Sequence, residues 1–342
     1  MKDPDYKTFL RRVVEGGKLD KDQSATVFGA IMEGKVSEGE LAAFLTAQTL
    51  RGPTVPEIVG AATAMRAAMK TVTAPTLALD LCGTGGDGKG TLNISTAVSL
   101  VAAACGVPVA KHGNRNMSSK TGAADVLEAL GVKIDIAPET AATCLDEVGV
   151  CFLFAQVYHP AMKHVAAVRR ALGIRTIFNL LGPLCNPAGT KRQLLGVFAK
   201  EWLEPLAEVL KKLGSEKVWV VHGRDGLDEV TTTDVTYVAA LEHGQVWNRT
   251  ISPEDAGLKR ATLDQLKGGA AAENADAIRR LLAGETGPYR DIVLLNTAAA
   301  LVVADKARDL REAAGMAAKV IDSGAAETVL KRLVAVSNGA QG

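Results

Sequence analysis

The stretch LDLCGTGGDGKGTLNIST, Leu79 to Thr96, packs five glycines, an aspartate and a lysine into the eight residues GTGGDGKG. Glycine lets a backbone adopt positive φ and come close to a ligand. A glycine turn ahead of a helix also offers unpaired N–H groups to an anion. Three phosphate motifs overlap here. Gly83, Gly85 and Gly88 spell G-x-G-x-x-G, but a dinucleotide site needs an acid at the end of the next strand, and that strand ends in the basic AKHGNR. Gly83 to Lys89 spell G-x-x-x-x-G-K, but Gly90 stands where a P-loop requires Ser or Thr, and Asp87 would repel a triphosphate. The third reading is a glycine turn followed by TLNIST. Thr91, Asn93, Ser95 and Thr96 are then donors to phosphate at a helix start, and Ser95 is also a possible metal ligand.

Two further clusters suit the same chemistry. The stretch AKHGNRNMSSKTG sets Lys111, His112, Asn114, Arg115, Ser118, Ser119 and Lys120 around two glycines, with cations for charge and hydroxyls and amides for direction. In GRDGLDEVTTTD, Asp228 and Glu229 are adjacent carboxylates. Alone such a pair reads as solvated surface; opposite a bound diphosphate it reads as an anchor for hard cations.

These clusters must be held by elements of definite type. Residues 5 to 70 read as helices: Phe9, Leu10, Val13 and Val14 share a face, as do Phe28, Ile31 and Met32. SEGE (Ser37 to Glu40) and TVPE (Thr54 to Glu57) are capping-box starts. From Thr76 short apolar runs take over: TLALDLC, VPVAKHG, VKIDI, CFLFAQ, RTIFNLL, LLGVFA and KVWVVHG read as strands. Several are separated by helical stretches such as TAVSLVAAA, AADVLEALG and LEPLAEVLKKLG. Strands alternating with helices predict an α/β fold with a mainly parallel central sheet flanked by helices. VTYVAALEHGQVWNRTI predicts an antiparallel edge hairpin around EHGQ. The expected domains are a small helical one over 1–72, completed by helices within about 160–185, and an α/β domain over 73–342.

The chain has 342 residues and a formal net charge of +1, so any anion site is local and no nucleic-acid or membrane partner is implied. Five cysteines without C-x-x-C spacing argue against a disulfide framework or zinc cluster and point to the cytoplasm. No apolar run approaches about 20 residues. Phe44 and Leu45 suit either packing between subunits or an intramolecular core.

GTGGDG…NIST, KHGNR, HPAM…VRRALGIRTIFNLLGPLCNP and GLDE occur in order, and together they resemble the anthranilate phosphoribosyltransferase family. The N-terminal helices and GGAAAENADAI…LLNTAAAL extend the resemblance over nearly the whole chain. It implies transfer of phosphoribosyl from 5-phosphoribosyl 1-diphosphate to anthranilate, in a homodimer that uses magnesium, two ions in all. It further implies that Gly83, Gly86, Asp87, Thr91, Asn93, Ile94, Ser95 and Thr96 hold the diphosphate donor. Lys111, His112, Gly113, Asn114, Arg115, Asn116, Met117, Ser118, Ser119 and Ala123 would close over that donor. Ser95, Asp228 and Glu229 would ligate metal, and Gly83, Asn114 and Arg169 would contact anthranilate. Lys111, His112, Asp228 and Glu229 would carry the catalysis, with His112 a candidate for polarising the amine. A guanidinium matches a carboxylate bidentately where lysine does not, although Arg169 read alone is a surface arginine on a helix. Asn116, Ala123 and Cys185 depart mildly from the family pattern. Pyrimidine nucleoside phosphorolysis on the same fold, and a non-catalytic nucleic-acid-binding relative, stay open as alternatives. The intact GLDE and the near-zero charge weigh against the last.

Overall fold

The computed structural model describes residues 6–115 and 121–340. Four helices open it: α1 (Tyr6–Val14), α2 (Lys21–Met32), α3 (Glu38–Arg51) and α4 (Val55–Ala67). Both capping boxes read from the sequence form. Glu40 accepts from the Ser37 N–H and hydroxyl, and Glu57 accepts from the Thr54 N–H and hydroxyl, each at 2.8 Å in the second case.

The remaining elements follow as β1 (Leu79–Gly83), α5 (Ile94–Ala104), β2 (Val109–Gly113), α6 (Ala123–Ala129), α7 (Pro138–Val148) and β3 (Val150–Phe154). Next come α8 (Ala155–Tyr158), α9 (Lys163–Leu172), α10 (Phe178–Leu181), β4 (Arg192–Gly196), α11 (Leu203–Lys212) and β5 (Lys217–Gly223). The hairpin β6 (Thr236–Glu242) and β7 (Gln245–Ile251) leads to α12 (Ala271–Leu282), α13 (Pro288–Val303), α14 (Leu310–Asp322) and α15 (Ala325–Ser337).

The seven strands lie in the order β3-β2-β1-β4-β5-β6-β7, parallel through β5 and antiparallel from β5 to β7. The hairpin turns at His243 and Gly244, both at positive φ, as a two-residue turn requires. Alternate residues of the sheet serve different cores. Leu81, Leu194, Trp219 and Val221 face one packed against α5 and α13; Leu195, Val197, Val218 and Val220 face another that includes α11 and the N-terminal helices. Val165, Val168, Phe178, Leu181 and Cys185 belong to this second core, so α9 and α10 pack with the N-terminal helices.

Two sequence expectations change, and one left open is resolved. Phe44 and Leu45 are fully buried inside the chain's own core rather than offered to another subunit. VKIDI alternates as a strand should, with Val132, Ile134 and Ile136 buried, but it joins no ladder; the Lys133 N–H donates to the Ser337 hydroxyl and Ile136 O accepts from Tyr158. RTIFNLL is not a strand either. Asn179 Oδ1 accepts from the Thr176 N–H and the chain turns into the single helical turn of α10.

Candidate active site

Strand order reverses between β1 and β4, and in open α/β sheets ligands gather at such a switch, beyond the carboxyl ends of the strands. Gly83 and Gly196 end these two strands in register. From Gly83 the chain enters the glycine turn, where Gly85, Gly86, Gly88 and Gly90 all take positive φ. Across the same crevice comes the 224–235 loop. Its Asp228 carboxylate accepts from the Gly85 N–H at 2.9 Å, and a Cβ on Gly83 would meet Asp228 Oδ2 at 2.7 Å. Gly196 is tighter still: a Cβ there would lie 1.6 Å from Asp228 O. Asn296 of α13 holds the loop from behind, accepting from the Val230 N–H and donating to Val230 O. The acidic pair and the glycine turn, 143 residues apart in the chain, therefore share one crevice.

The electrostatics of that crevice are strained. Burial, then the charge of Asp87, pushes Asp228 up to about 7. Burial, then Asp228, pushes Glu229 up to about 8, against the pull of Lys111. Lys111 is 3% exposed and its ammonium donates to Leu81 O at 2.5 Å and to Ser95 Oγ at 3.0 Å. Burial lowers its pKa; the neighbouring acids oppose that shift. Among the described residues no three His, Cys, Asp or Glu converge on one cation position. A divalent ion at Asp228 and Glu229 would therefore complete its shell with ligand oxygens or water, which is how magnesium usually binds. The donors present, carboxylates and the Ser95 hydroxyl, are the hard oxygens magnesium takes, and the carboxylates are costly as bare charges. The residues fit the ion.

The other expected donor-site residues distribute as follows. Asp87 accepts from the Lys89 N–H at 3.0 Å, and Thr91 pairs with Lys267 through an isolated β-bridge. Asn93 is the N-cap of α5; Ile94 and Thr96 are buried, with no partner among the described residues for the Thr96 hydroxyl. Gly113 ends β2 with its Cβ position 2.7 Å from the Phe152 ring and 3.6 Å from the methyl of Ala123. Asn114 is exposed, its Oδ1 accepting from the Arg115 N–H at 2.8 Å. Arg115 is committed elsewhere: its guanidinium pairs with Asp125 at 2.8 Å and Glu128 at 2.5 Å on α6, and these acids raise its pKa. Asn116, Met117, Ser118 and Ser119 lie outside the described residues.

His112, the candidate for polarising the amine, has both of its ring nitrogens engaged within the protein. Nδ1 lies 3.1 Å from Gly182 O, so it carries the proton, and Nε2 lies 3.2 Å from His159 Nε2. Burial, then His159, pushes His112 down to about 3, and burial pushes His159 down to about 4. Both imidazoles are neutral near pH 7.

Arg169 projects from α9 with its guanidinium 5.5 Å from the centre of the Phe178 ring. Burial lowers its pKa, and no described acid pairs with it. A half-buried guanidinium without an anion invites one.

Other residues of the site carry no signal of their own in the sequence. Arg175 stacks 4.2 Å from the Phe198 ring centre and donates to Gly86 O, tying the α9–α10 segment to the glycine turn. Fully buried Asp80 accepts from the His112 N–H at 3.1 Å and from Gln193 at 3.2 Å, fixing the β2 tip. RTIFN stands inside one of the stretches that carry the resemblance, but no spacing marks a residue whose partner is 89 positions away.

The fold thus sets a helical bundle beside a switch-point crevice lined by glycines and carboxylates. The chain matches the model of the glycosyl transferase family's helical bundle domain over residues 7–69 and that of its a/b domain over residues 75–327. It is 57% identical over 336 residues to the anthranilate phosphoribosyltransferase of Rhodopseudomonas palustris, covering 98% of this chain and 99% of the relative. Identity is also 57%, over 335 residues and 98% of each chain, with that of Parvibaculum lavamentivorans. The anthranilate phosphoribosyltransferase of Thermus thermophilus superposes with a TM-score of 0.92 at 46% identity, covering 96% of this chain and 99% of that one. The Saccharomyces cerevisiae enzyme, solved in complex with PRPP and Mg, gives 0.91 at 26% identity over 99% of both chains. The chain belongs to the anthranilate phosphoribosyltransferase family.

Proposed function

We propose that the chain transfers the phosphoribosyl group of 5-phosphoribosyl 1-diphosphate to the amine of anthranilate, giving N-(5-phosphoribosyl)anthranilate and diphosphate in tryptophan biosynthesis. One observation carries the reading: the Asp228 carboxylate lodges against the Gly83–Gly85 turn, with Lys111 and the start of α5 beside it. The donor's diphosphate then lies along the glycine turn and the α5 N-terminus, contacting Gly83, Gly86, Thr91, Asn93, Ile94 and Thr96, with the Asp87 carboxylate turned away onto the Lys89 N–H. Lys111, His112, Gly113 and Asn114 at the β2 tip would close over the donor.

Ser95, Asp228 and Glu229 would hold magnesium, two ions on this reading; when bound, the metal neutralises charge on the departing diphosphate. Bond breaking at ribose C1 runs ahead of bond making, so the task of these residues is to stabilise the leaving group. On this reading the helix N–H groups meet that charge, and Lys111, held on Leu81 O and Ser95 Oγ, adds positive potential from behind. An arylamine is unprotonated near neutral pH and demands no strong base, which agrees with neutral, internally bonded His112. Arg169 receives the anthranilate carboxylate, with Asn114 and Gly83 flanking the ring.

We place the domain division at 72/73, and the enzyme in the cytoplasm as a homodimer. Exposed Val14, Leu50 and Ile174 lie on the helical side and supply apolar surface for the second subunit. The activity is tested by mixing protein, anthranilate, the diphosphate donor and magnesium and following loss of anthranilate fluorescence. Retained fluorescence together with thymidine phosphorolysis would move the assignment to a nucleoside phosphorylase.

A further inference from the structure

Asn93 is the N-cap of α5, yet its side chain does not cap the helix. An asparagine there ordinarily turns its oxygen back onto the N–H groups of the first turn. Here Oδ1 instead accepts from Asn274 Nδ2 at 2.8 Å, from a residue 181 positions later on α12. The orientation of both carboxamides follows by elimination. The Gly269 N–H can only donate, so the Asn274 atom 2.8 Å from it is the oxygen. The other branch of Asn274 is then its NH2, and the Asn93 atom facing that branch must be an oxygen. What remains on Asn93 is its own NH2, for which no described residue is an acceptor.

The surrounding strap fixes this geometry. Asn274 is 2% exposed. The Leu92 N–H donates to Leu266 O and the Gly268 N–H to Gly90 O, both at 2.9 Å, so residues 266–269 run along the glycine turn. The Gly269 carbonyl accepts from the Thr121 hydroxyl at 2.8 Å, and the Tyr289 hydroxyl donates to Asn93 O at 3.1 Å. Gly268 has no room for a side chain, since a Cβ would lie 2.7 Å from Thr91 O.

We propose that Asn274 is a positioning residue for the diphosphate donor: it locks Asn93 with the amide NH2, rather than the carbonyl, turned to the anion, and leaves the first turn of α5 without a side-chain cap. A donor group facing phosphate is stabilising where an acceptor is repelled. The inference rests on the reading of the α5 N-terminus as the donor site.

Asn274→Asp keeps an oxygen for the Gly269 N–H but can only accept from Asn93, which must rotate and present its own oxygen to the anion. The donor KM should rise about tenfold or more while the anthranilate KM stays near wild type, whatever the buried carboxylate costs in melting temperature. In an Asn93→Ala background the same substitution should have no further effect on donor KM; additive effects would overturn the inference. Asn93→Asp provides a check that does not disturb Asn274: it preserves the accepted bond, replaces the outward NH2 by a carboxylate oxygen, and should weaken donor binding more than Asn93→Ala does. Equal donor KM for Asn93→Asp and wild type would also overturn it. If Asn93→Ala itself leaves donor KM unchanged, the reading of the α5 N-terminus fails; if Asn93→Ala raises it and Asn274→Asp does not, only the role of Asn274 fails.

Discussion

Two sets of carboxylates in this chain, one fully buried and one half-buried, are treated in opposite ways. Glu57, with no exposed surface, accepts from Arg51 at 2.6 Å, from the Leu19 N–H at 3.1 Å and from the Thr54 N–H and hydroxyl at 2.8 Å. Burial alone would raise its pKa, but these donors bring it below 4.5. Asp228 and Glu229 are left to repel each other and Asp87, and rise to about 7 and about 8. The arginines divide similarly: Arg51 pairs with Glu57, whereas Arg169 rests on Phe178 with no described counter-ion. Where charge serves the fold it is satisfied internally; at the residues proposed for the site it is held short of partners.

The sharpest way to break this contrast is to neutralise the strained pair. Asp228→Asn with Glu229→Gln should cut turnover by about a hundredfold or more and leave the melting temperature unchanged or raised. Unaltered kinetics at saturating magnesium would discard the metal role. Removing the satisfied acid should do the reverse. Glu57→Ala strands Arg51 and should destabilise the fold by about 3 kcal/mol or more, read by urea denaturation, while kcat of the folded fraction holds. Arg169→Ala should then raise the anthranilate KM by roughly ten- to a hundredfold, with Arg169→Lys recovering only part. A rise in donor KM instead would reverse the two substrate assignments.

The smallest effect is on pH dependence, and its sign differs between the two sets. Glu57 has its folded pKa lowered, so its contribution is present above the ordinary carboxyl value and lost as pH falls through the folded one. Asp228 and Glu229 have theirs raised, so stability is full below about 4 and declines as pH climbs through about 7 to 8. Melting curves in chelator should fall at both ends. The alkaline decline should flatten in the Asp228→Asn, Glu229→Gln variant and the acid decline should not.

The glycine turn, the basic β2 tip and the acidic pair were legible because their chemistry is local: each carries its residue types within a dozen positions. The capping boxes of α3 and α4 were legible for the same reason. VKIDI and RTIFNLL mislead because a short apolar run states burial and not pairing; for the first, Ser337 and Tyr158 take the bonds a neighbouring strand would have taken. Asn274 and Arg175 leave no trace in the spacing, since each acts through one hydrogen bond across a large sequence separation. Arg115 was legible as a cation but not as one already neutralised by Asp125 and Glu128.

The fit of Gly196 against the backbone of residue 228 has one more consequence. The collision distance of 1.6 Å is to main chain, which no rotamer change can relieve. A randomised codon at 196 under selection for tryptophan prototrophy should return glycine alone, even alanine being excluded. The gap between the crevice walls is thus machined into the sheet itself.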